Sequence, residues 1–450
     1  MLITNGTLIT WENPNRILEN HGIYVKDGKI GEIGPIKEMI AKYPGEQRLD
    51  AKGQYILPGN ICGHTHFYSA YSRGLSIPGA APADFPEILQ KLWWQLDKSL
   101  TADDIYYSAL VSLVDAVKHG TTTLIDHHAS PNAISGSLDE ISRAIEQTGV
   151  RAVLCYEVTD RDGEAKARAG IAENRRFIEY VQRNHPLNGK LGAMFGLHAS
   201  LTLSETTLNV CREATPDDCG FHIHVAEHSV DEYDSIAKSG MRVVDRLSKV
   251  GILGQKSIAV HAVHIDTREI ELLAETGTWV THQPRSNMNN AVGISAVESM
   301  MRAGVRVGLG NDGFSNAMWE EWKTAYFVHK LWQRDPRQMP ATNIIQMAVY
   351  NNAELVKAVL PGTQIGVLKP GAEADLIFVD YHPFTPMTVD NLPWHIIFGF
   401  LESMISTTIV DGNVLMENHQ LTTLDEKEIA DKALKLAPNV WNRFQNQFVR

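Results

Sequence analysis

The chain has 450 residues, of which 44% are hydrophobic and 21% are charged. This composition is typical of a folded globular protein and excludes a disordered or fibrous one. The 41 Lys and Arg residues are outnumbered by 53 Asp and Glu residues, which gives a formal net charge of −12. An acidic chain without a block of basic residues repels polyanions, so we expect no nucleic-acid partner.

The first residues and the cysteines indicate a cytoplasmic protein. The chain begins MLITNGTLITWENPN, which has no basic start followed by an apolar run, so we expect no secretory signal. No run of about 18 uncharged apolar residues occurs, and we therefore expect no membrane segment. The four cysteines form no CxxC pair and are too sparse for a disulfide framework. Reduced thiols are the simplest interpretation.

Short strands and tight turns are predicted at both ends of the chain. Asn-Gly and Asp-Gly turns separate strand-forming residues before residue 58, and residues 374–380 and 407–416 repeat this pattern. We therefore predict that residues 1–57 and 362–450 form one small β-sandwich domain. The part after Asp425 is predicted to be an amphipathic helical tail.

Residues 58–361 alternate between β-rich and helical patterns. The candidate strands are residues 60–66, 121–126, 151–158, 192–198, 220–226, 257–263, 278–283 and 305–312. Helical patterns between them include residues 103–119, 138–148, 230–250 and 317–333. Eight strands that alternate with helices predict a parallel (β/α)₈ TIM barrel of the α/β class. An open doubly wound sheet is the alternative, although no GxGxxG or Walker A motif supports its nucleotide-binding forms.

His64 and His66 form an HxH pair in the first candidate strand. Side chains two residues apart on a strand point to the same face, and near the carboxyl end of a barrel strand that face opens to the active site. Neutral imidazole is a common metal ligand, so the pair indicates a metal site. For an isolated HxH pair, chance or a packing role is the alternative.

Similar residues occur at the ends of other candidate strands, namely His222, His224, Glu227, His261, His264 and Asp312. A barrel gathers its strand ends on one face, so residues far apart in sequence converge there. Several imidazoles and one carboxylate around a divalent metal, with a position left for water, form a hydrolytic site. The spacing alone does not decide between His222 and His224 as a ligand.

The motifs PGNICGHTHFYSAYSRG, HGTTTLIDHHAS, FHIHVAEH, AVHAVH, THQPRSN and GLGNDG together resemble the metal-dependent amidohydrolase superfamily. Within it, the chain is most similar to the cytosine deaminase, guanine deaminase and chlorohydrolase-like branch, and there to the SsnA-type aminohydrolases. The similarity covers nearly the whole chain, since GVLKPGAEADLIFVD resembles the family's return into its β-sandwich.

This resemblance implies a division of roles among the site residues. The implied metal ligands are His64, His66, His224 and Asp312, and the implied catalytic residues are Glu227, His261 and Asp312. Glu227 matches the family's proton shuttle, and His261 matches the histidine that polarises the attacking water or the substrate. No lysine lies in the fourth candidate strand, so we expect one divalent ion, Zn²⁺ or alternatively Fe²⁺, and not two.

The expected reaction is deamination of a small purine-, pyrimidine- or triazine-like heterocycle by metal-bound hydroxide. Opening of a cyclic amide or amidine, or dechlorination, is the alternative within hydrolases, and a non-catalytic scaffold is a remote one. We expect His198, His282 and Arg73 to contact the substrate. The helical tail packs either on the body of the chain or on a second subunit, and the latter would give a homodimer.

Five further residues have open roles. His127 and His128 follow the second candidate strand, where they either contact substrate or only occupy a loop. Trp93 and Trp94 either stack on a heterocycle or pack in a core or lid. Cys62 lies two residues before His64, so its side chain points to the same face of the strand as those of His64 and His66. It is expected to pack below the metal as a buried thiol.

Overall fold

The computed structural model describes residues 1–449, and within them the chain forms eighteen strands. The strands are β1 (Leu2–Ile9), β2 (Ile17–Lys26), β3 (Lys29–Pro35), β4 (Arg48–Asp50), β5 (Tyr55–Pro58), β6 (Asn60–Thr65), β7 (Thr121–His128), β8 (Arg151–Tyr156), β9 (Leu191–Ala193), β10 (Phe195–Ala199), β11 (Phe221–Val225), β12 (Ile258–His261), β13 (Trp279–His282), β14 (Val307–Leu309), β15 (Leu376–Val379), β16 (Ile405–Val410), β17 (Asn413–Glu417) and β18 (Gln420–Leu421).

The helices of the same residues are α1 (Ile36–Lys42), α2 (Phe85–Ile88), α3 (Trp94–Leu96), α4 (Ala102–Lys118), α5 (Ser137–Thr148), α6 (Glu164–Asn184), α7 (Glu205–Ala214), α8 (Ser229–Ser239), α9 (Val243–Val250), α10 (Thr267–Thr276), α11 (Pro284–Asn289), α12 (Val297–Arg302), α13 (Met318–Gln333), α14 (Ala341–Ile345), α15 (Asn352–Val359), α16 (Leu392–Gly399) and α17 (Glu426–Asn446). Short 3₁₀ or π segments lie at Phe67–Ser72, Leu89–Trp93, Asp97–Ser99, Pro186–Gly189, Ser200–Thr202, Gln346–Asn351 and Glu402–Met404.

The middle of the chain forms the predicted parallel barrel. Strands β6 to β9 are hydrogen-bonded in sequence order, and so are β10 to β14. A parallel bridge between Val158 and Leu197 joins the two arcs. At the other seam, the amide of Asn311 donates to the carbonyl oxygen of His64 at 2.9 Å. The fourth strand position is divided, because Met194 separates β9 from β10. The eight predicted strand positions are therefore all present.

The helices between these strands agree with the sequence patterns except at one place. Helices α4, α5 and α13 match the predicted segments to within a residue. The predicted helix over residues 230–250 is wrong, since α8 ends before Gly240 and α9 begins at Val243. Gly240 has a φ of 71° and its amide donates to the carbonyl oxygen of Ile236 at 2.8 Å. A glycine in this left-handed conformation ends a helix, and the amphipathic pattern does not register it.

Both ends of the chain contribute to one nine-stranded sheet in the order β18-β17-β16-β15-β5-β1-β2-β3, with β4 paired to β1. The sandwich expected from the sequence thus takes the form of a continuous hydrogen-bonded sheet. The sheet has its own hydrophobic cluster, in which Ile3 and Leu8 pack with Phe378 and Ile409. The division of the chain at residues 58 and 361 into two domains stays a prediction, which this shared cluster supports.

Helix α17 is the predicted tail, and it packs on the body of the same chain. The Asp425 carboxylate accepts a hydrogen bond from the amide of Glu428 at 2.9 Å and so begins the helix. Near its end, the indole of Trp441 donates to the carbonyl oxygen of Tyr71 at 2.9 Å. Arg443 forms an ion pair with Asp104 of α4. The first of the two packing modes predicted for the tail is therefore the one observed.

No helix in residues 1–449 combines the length and the apolar character that a membrane span requires. All four cysteines are free thiols, and three of them are buried.

A buried ion pair connects the barrel to the end sheet. The guanidinium of Arg151 in β8 donates to Asp375 at 3.0 and 3.3 Å, and both side chains are at most 2% exposed. We expect Arg151→Met to lower the free energy of unfolding by about 3 kcal/mol or more, because it leaves a buried carboxylate unpaired. Urea denaturation measures this. The matched control is Arg168→Met, since the Arg168–Glu164 pair is over 70% exposed on both sides; equal losses in the two variants would contradict the prediction.

Candidate metal centre and substrate cavity

Two histidines of the first barrel strand lie side by side near its carboxyl end. His64 is in β6 and His66 directly follows it, so their side chains point to the same face. Both are buried. The Nε2 atoms of His64 and His66 lie 3.0 and 3.1 Å from Oδ1 of Asp312, which follows β14.

The fifth barrel strand, β11, supplies a third imidazole. Nε2 of His224 lies 3.2 Å from Nε2 of His66. His64, His66, His224 and Asp312 each offer one ligand atom, and these four atoms lie within 4.8 Å of one another. The structure therefore brings together the four ligands expected from the sequence, although they come from three distant strands.

Hydrogen bonds fix the proton positions on two of these imidazoles. Nδ1 of His66 lies 2.5 Å from the carbonyl oxygen of His127, and Nδ1 of His224 lies 2.8 Å from that of His198. A carbonyl oxygen only accepts, so each Nδ1 must carry the proton that it donates. The Nε2 atoms of His66 and His224 are then free to donate lone pairs, as metal ligands must.

His222 lies behind His64 instead of beside the other ligands. Nε2 of His222 is 2.9 Å from Nδ1 of His64, and Nδ1 of His222 is 3.6 Å from the thiol of Cys155. This contact orients His64 so that its other nitrogen faces Asp312. The structure thus places His224 with the other candidate ligands and His222 in contact with His64. The HxH spacing could not distinguish the two histidines.

The polar atoms of this centre fit a bound cation. Nε2 of His66 and Nε2 of His224 both present lone pairs, yet they lie 3.2 Å apart with the Asp312 carboxylate beside them. Lone pairs at this distance repel each other unless a positive charge lies between them. Three imidazole nitrogens and one carboxylate oxygen form a donor set that Zn²⁺ and similar divalent ions prefer.

Without a metal, a proton occupies this place. Burial lowers the pKa of His64 to about 3, which keeps His64 neutral. Burial also opposes the charged form of His66, but the hydrogen bond to Asp312 and the charge of Asp312 outweigh it and raise the pKa of His66 to about 9. A metal ion must therefore displace a proton from His66 at neutral pH.

Glu227 and His261 border the ligands on one side. Nε2 of His261 lies 3.4 Å from Oε2 of Glu227 and 3.8 Å from Oδ2 of Asp312. The side-chain amide of Asn290 donates to Oε1 of Glu227 at 3.3 Å. Burial and the nearby charge of Asp312 raise the pKa of Glu227 well above its usual range. The raised pKa favours the protonated form of Glu227, which is the form that can act as an acid.

Asp312 is in the opposite protonation state. Burial disfavours its charged form, but the neighbouring imidazoles, His261 first among them, hold the pKa of Asp312 well below its usual range. The hydroxyl of Ser286 donates to Oδ2 of Asp312 at 2.5 Å. The pKa values of two carboxyl groups in one site are thus shifted in opposite directions, which is the arrangement that acid–base catalysis requires.

A cavity of about 800 Å³ opens beside this centre. His66, His224, Glu227 and Asp312 contribute to its inner wall. Aromatic side chains form much of the remaining wall, namely Tyr68, Phe85, Trp93, Trp94 and Trp441. Such a wall suits a planar heterocycle, because aromatic rings stack on one another. The tail helix α17 supplies part of the wall, so the end of the chain completes the cavity.

The three predicted substrate contacts do not share one location. His198 lines the cavity, with its Nδ1 2.7 Å from the hydroxyl of Thr202. Arg73 lines its exposed mouth. His282 is not among the lining residues; it is fully buried, and its Nε2 lies 3.1 Å from Nε2 of His329. Helix α13 covers this imidazole, so the substrate contact of His282 stays a prediction that the lining of the cavity does not support.

The residues with open roles also divide between cavity and core. Trp93 and Trp94 line the cavity, where they can stack on a ligand. His127 and His128 are buried and do not line it. Cys62 is fully buried, and burial raises the pKa of its thiol to about 12, so it stays protonated below the metal centre.

Sequence reasoning missed Glu157, a carboxylate directly after β8. It is 3% exposed, lines the cavity, and lies 3.3 Å from Nδ1 of His127 and 3.4 Å from Nε2 of His198. Burial opposes its charged form, but His198 and His127 outweigh burial and hold the pKa of Glu157 well below its usual range. Its position at the carboxyl end of a barrel strand was a usable signal, because functional residues of this fold occupy such ends.

The sequence profile described as the amidohydrolase family matches residues 55–415. The 5'-deoxyadenosine deaminase of Methanosarcina mazei is 32% identical to this chain over 442 residues, which is 97% of each protein. The 5-methylthioadenosine/S-adenosylhomocysteine deaminase of Syntrophomonas wolfei is 31% identical over 445 residues, which covers 97% of this chain and 98% of the relative.

Among solved structures, an adenosine deaminase from Xanthomonas campestris with bound zinc superimposes with a TM-score of 0.85 at 22% identity, over 98% of each chain. A barrel with a metal-binding set at its strand ends defines the class of protein. The chain belongs to the amidohydrolase family. The expected TIM barrel and the expected class of enzyme, a metal-dependent hydrolase of carbon–nitrogen bonds, are thereby confirmed.

We expect His64→Ala to lose metal and activity together, because it removes one of four ligands. Metal content after dialysis, measured by elemental analysis, and turnover should both fall by about tenfold or more. His264→Asn is the matched control: this histidine lies near the same strand ends but its Nε2 faces the carbonyl oxygen of Val292 at 2.8 Å. Full metal content in His64→Ala would contradict its role as a ligand.

The apparent affinity for zinc should rise with pH up to about 9. The pKa of His66 is raised to about 9 in the metal-free protein, so below that pH each bound ion displaces one proton. Affinity should increase about tenfold per pH unit between about pH 7 and pH 9. Competition with a chelator of known proton affinity measures it. An affinity that is constant above pH 7 would contradict a raised pKa for His66.

Proposed function

We propose that this enzyme deaminates a small aminated nitrogen heterocycle, with a purine or purine nucleoside as the first class to test. The observation that carries the proposal is the pair of buried carboxyl groups Glu227 and Asp312, whose pKa values are shifted in opposite directions, beside a cation-binding set in the wall of a cavity that aromatic side chains line. The matched relatives of M. mazei and S. wolfei, both named as deaminases of adenosine derivatives, support the substrate class.

The proposed metal ligands are His64, His66, His224 and Asp312. We propose a single Zn²⁺ ion, since the donor set suits it and the superimposed adenosine deaminase holds zinc. Fe²⁺ is compatible with the same ligands, because selection between the two depends on geometry and supply. When bound, a divalent ion makes a water molecule nucleophilic at neutral pH.

The reaction then requires two proton transfers that the side chains can perform. Oδ2 of Asp312 accepts a proton from the attacking water. Nε2 of His261 lies 3.8 Å from this oxygen and can stabilise the negative charge that develops on the oxygen of the water. The oxygen of that water forms a bond to the ring carbon that carries the amino group. Glu227 donates its proton to the adjacent ring nitrogen, so the ring does not accumulate negative charge.

Collapse of the tetrahedral carbon completes the reaction. The proton held by Asp312 passes to the amino group, directly or through Glu227, and the carbon–nitrogen bond breaks to release ammonia. The hydroxyl group on that carbon gives its proton to Glu227, which restores the acid, and a carbonyl group remains on the ring. The buried position of Glu227, which is 8% exposed, keeps its carboxyl group protonated until substrate arrives. Asn290 holds one carboxyl oxygen and leaves the other for the ring nitrogen.

The proposed location is the cytoplasm, which the four free thiols support.

We also propose a homodimer, although not through the tail helix, which packs on its own chain. Exposed apolar side chains on α13 and α16 offer a different contact surface: Phe327 is 51% exposed and Phe398 is 63% exposed, and their rings lie 6.1 Å apart. Apolar patches of this kind are typical of protein contacts.

The substrate class is tested by ammonia release. Zinc-loaded enzyme is incubated with aminated purines, pyrimidines, triazines and their nucleosides, and ammonia is measured together with the product. We expect stoichiometric ammonia and a carbonyl product from at least one aminopurine. A product without ammonia, such as chloride release or ring opening, would refute deamination while leaving a hydrolase.

Glu227→Gln should retain zinc but lose turnover by about 10²-fold or more, because an amide cannot donate the proton that the ring nitrogen needs. Elemental analysis and initial rates measure the two effects separately. The matched control is Glu232→Gln, a buried glutamate five residues away whose carboxylate accepts the amide of Val243 at 3.1 Å outside the cavity. Near-normal turnover of Glu227→Gln would remove Glu227 from the mechanism.

A further inference from the structure

The cavity contains an ionised carboxylate that the proposed reaction does not use. Glu157 follows β8, is 3% exposed and lines the same cavity as the metal ligands. Its Oε2 has no well-formed hydrogen bond within the part of the chain that the structure describes. Burial of a carboxylate without a full set of hydrogen-bond partners lowers the stability of the protein. Its place in the cavity therefore indicates a role in ligand binding.

His127 holds Glu157 from behind. Nε2 of His127 lies 3.1 Å from the carbonyl oxygen of His222, which only accepts, so this nitrogen must carry a proton. Nδ1 of His127 lies 3.3 Å from Oε2 of Glu157. Both atoms are buried, and neither has another hydrogen-bond partner within the described residues.

The contact between His127 and Glu157 does not form a second metal site. His66 is the third donor residue close to them. However, its Nδ1 already donates to the carbonyl oxygen of His127, and its Nε2 belongs to the metal centre. Only His127 and Glu157 would remain as ligands, whereas protein zinc sites use three or four. Glu157 is therefore available to a ligand in the cavity.

On its other side Glu157 meets His198. Oε1 of Glu157 lies 3.4 Å from Nε2 of His198, whose Nδ1 is 2.7 Å from the hydroxyl of Thr202. A hydroxyl group can rotate to donate or accept, so His198 can exist in either neutral tautomer. Both contacts of Glu157 are long. Oε2 is fully buried, whereas Oε1 is not, so a ligand in the cavity can use the free lone pair of Oε1.

We propose that Glu157, held between His127 and His198, accepts hydrogen bonds from N–H groups of the substrate. The substrate would then be a heterocycle with an N–H donor, such as a second amino group, on the edge that faces Glu157. A carbonyl group at that position would face a buried negative charge and be rejected. Charge-assisted hydrogen bonds in a site shielded from water are strong, so the discrimination is large. This inference rests on the proposed function, whose cavity and substrate class it refines.

The test compares ligands that differ by one amino group. The pairs are 2,6-diaminopurine with 6-aminopurine, and 2,4-diamino-1,3,5-triazine with 2-amino-1,3,5-triazine. Binding is measured by calorimetry on zinc-loaded protein that carries Glu227→Gln, so that ligands are not consumed. We expect the diamino ligand of at least one pair to bind about tenfold or more tighter. Addition of Glu157→Gln, which keeps the shape but removes the charge, should reduce that ratio to about threefold or less.

Asp115→Asn in the same background is the matched control. Asp115 also lines the cavity, but its Oδ1 lies 3.2 Å from Nδ1 of His119 and its Oδ2 accepts the amide of Asn316 at 2.6 Å. This variant removes one negative charge without touching Glu157, and the ratio should not change. Zinc content, measured for each variant, should also be unchanged.

Three results would overturn the inference: a ratio unaffected by Glu157→Gln, an equal loss of the ratio in Asp115→Asn, or no preference for either diamino ligand at millimolar concentration. The binding test of Glu157 and the ammonia-release test of the proposed function can fail independently. Ammonia release without any effect of Glu157→Gln on the ratio would refute only the role of Glu157. A Glu157-dependent ratio in an enzyme that releases no ammonia from any heterocycle would refute only deamination.

Discussion

The site depends on one constraint: two imidazole nitrogens at the carboxyl end of the barrel point their lone pairs at each other. Nε2 of His66 and Nε2 of His224 lie 3.2 Å apart beside the Asp312 carboxylate, and backbone carbonyl oxygens hold the protons of both imidazoles on the far side. Such an arrangement is stable only around a positive charge. In the metal-free protein the raised pKa of His66 favours a proton at this place, and in the active protein a metal ion occupies it. Metal binding and catalysis therefore depend on the protonation of His66.

The rest of the fold keeps that point in place. Parallel strands bring the ligands to one face, and the continuous sheet formed by both chain ends is fixed to the barrel through the Arg151–Asp375 pair. Helix α17 then returns to form part of the cavity wall through Trp441. The C-terminal helix therefore contributes to the cavity as well as to stability. The pKa values of Glu227 and Asp312 are shifted in opposite directions because the imidazoles of His261, His64 and His66 surround Asp312, whereas burial and the charge of Asp312 dominate at Glu227.

Much of this could be predicted from periodicity, because strand ends and the histidines at those ends coincide in the sequence. What could not be predicted depends on three-dimensional neighbours. Spacing could not distinguish His224 from His222; the resemblance implied His224, and the contact between His222 and His64 from another strand explains that choice. His282 is at a strand end like the true cavity residues, but α13 places His329 against it. Glu157 lacks a motif, and its significance emerges only from the two imidazoles beside it.

The central claim is that one cation belongs between His64, His66, His224 and Asp312. Anomalous diffraction from crystals of the zinc-loaded protein, collected on both sides of the zinc absorption edge, tests it most directly. We expect one strong anomalous peak at about 2.0–2.2 Å from the three Nε2 atoms and a carboxylate oxygen of Asp312. A peak centred elsewhere in the barrel, or an empty position among these four side chains in fully loaded protein, would contradict it.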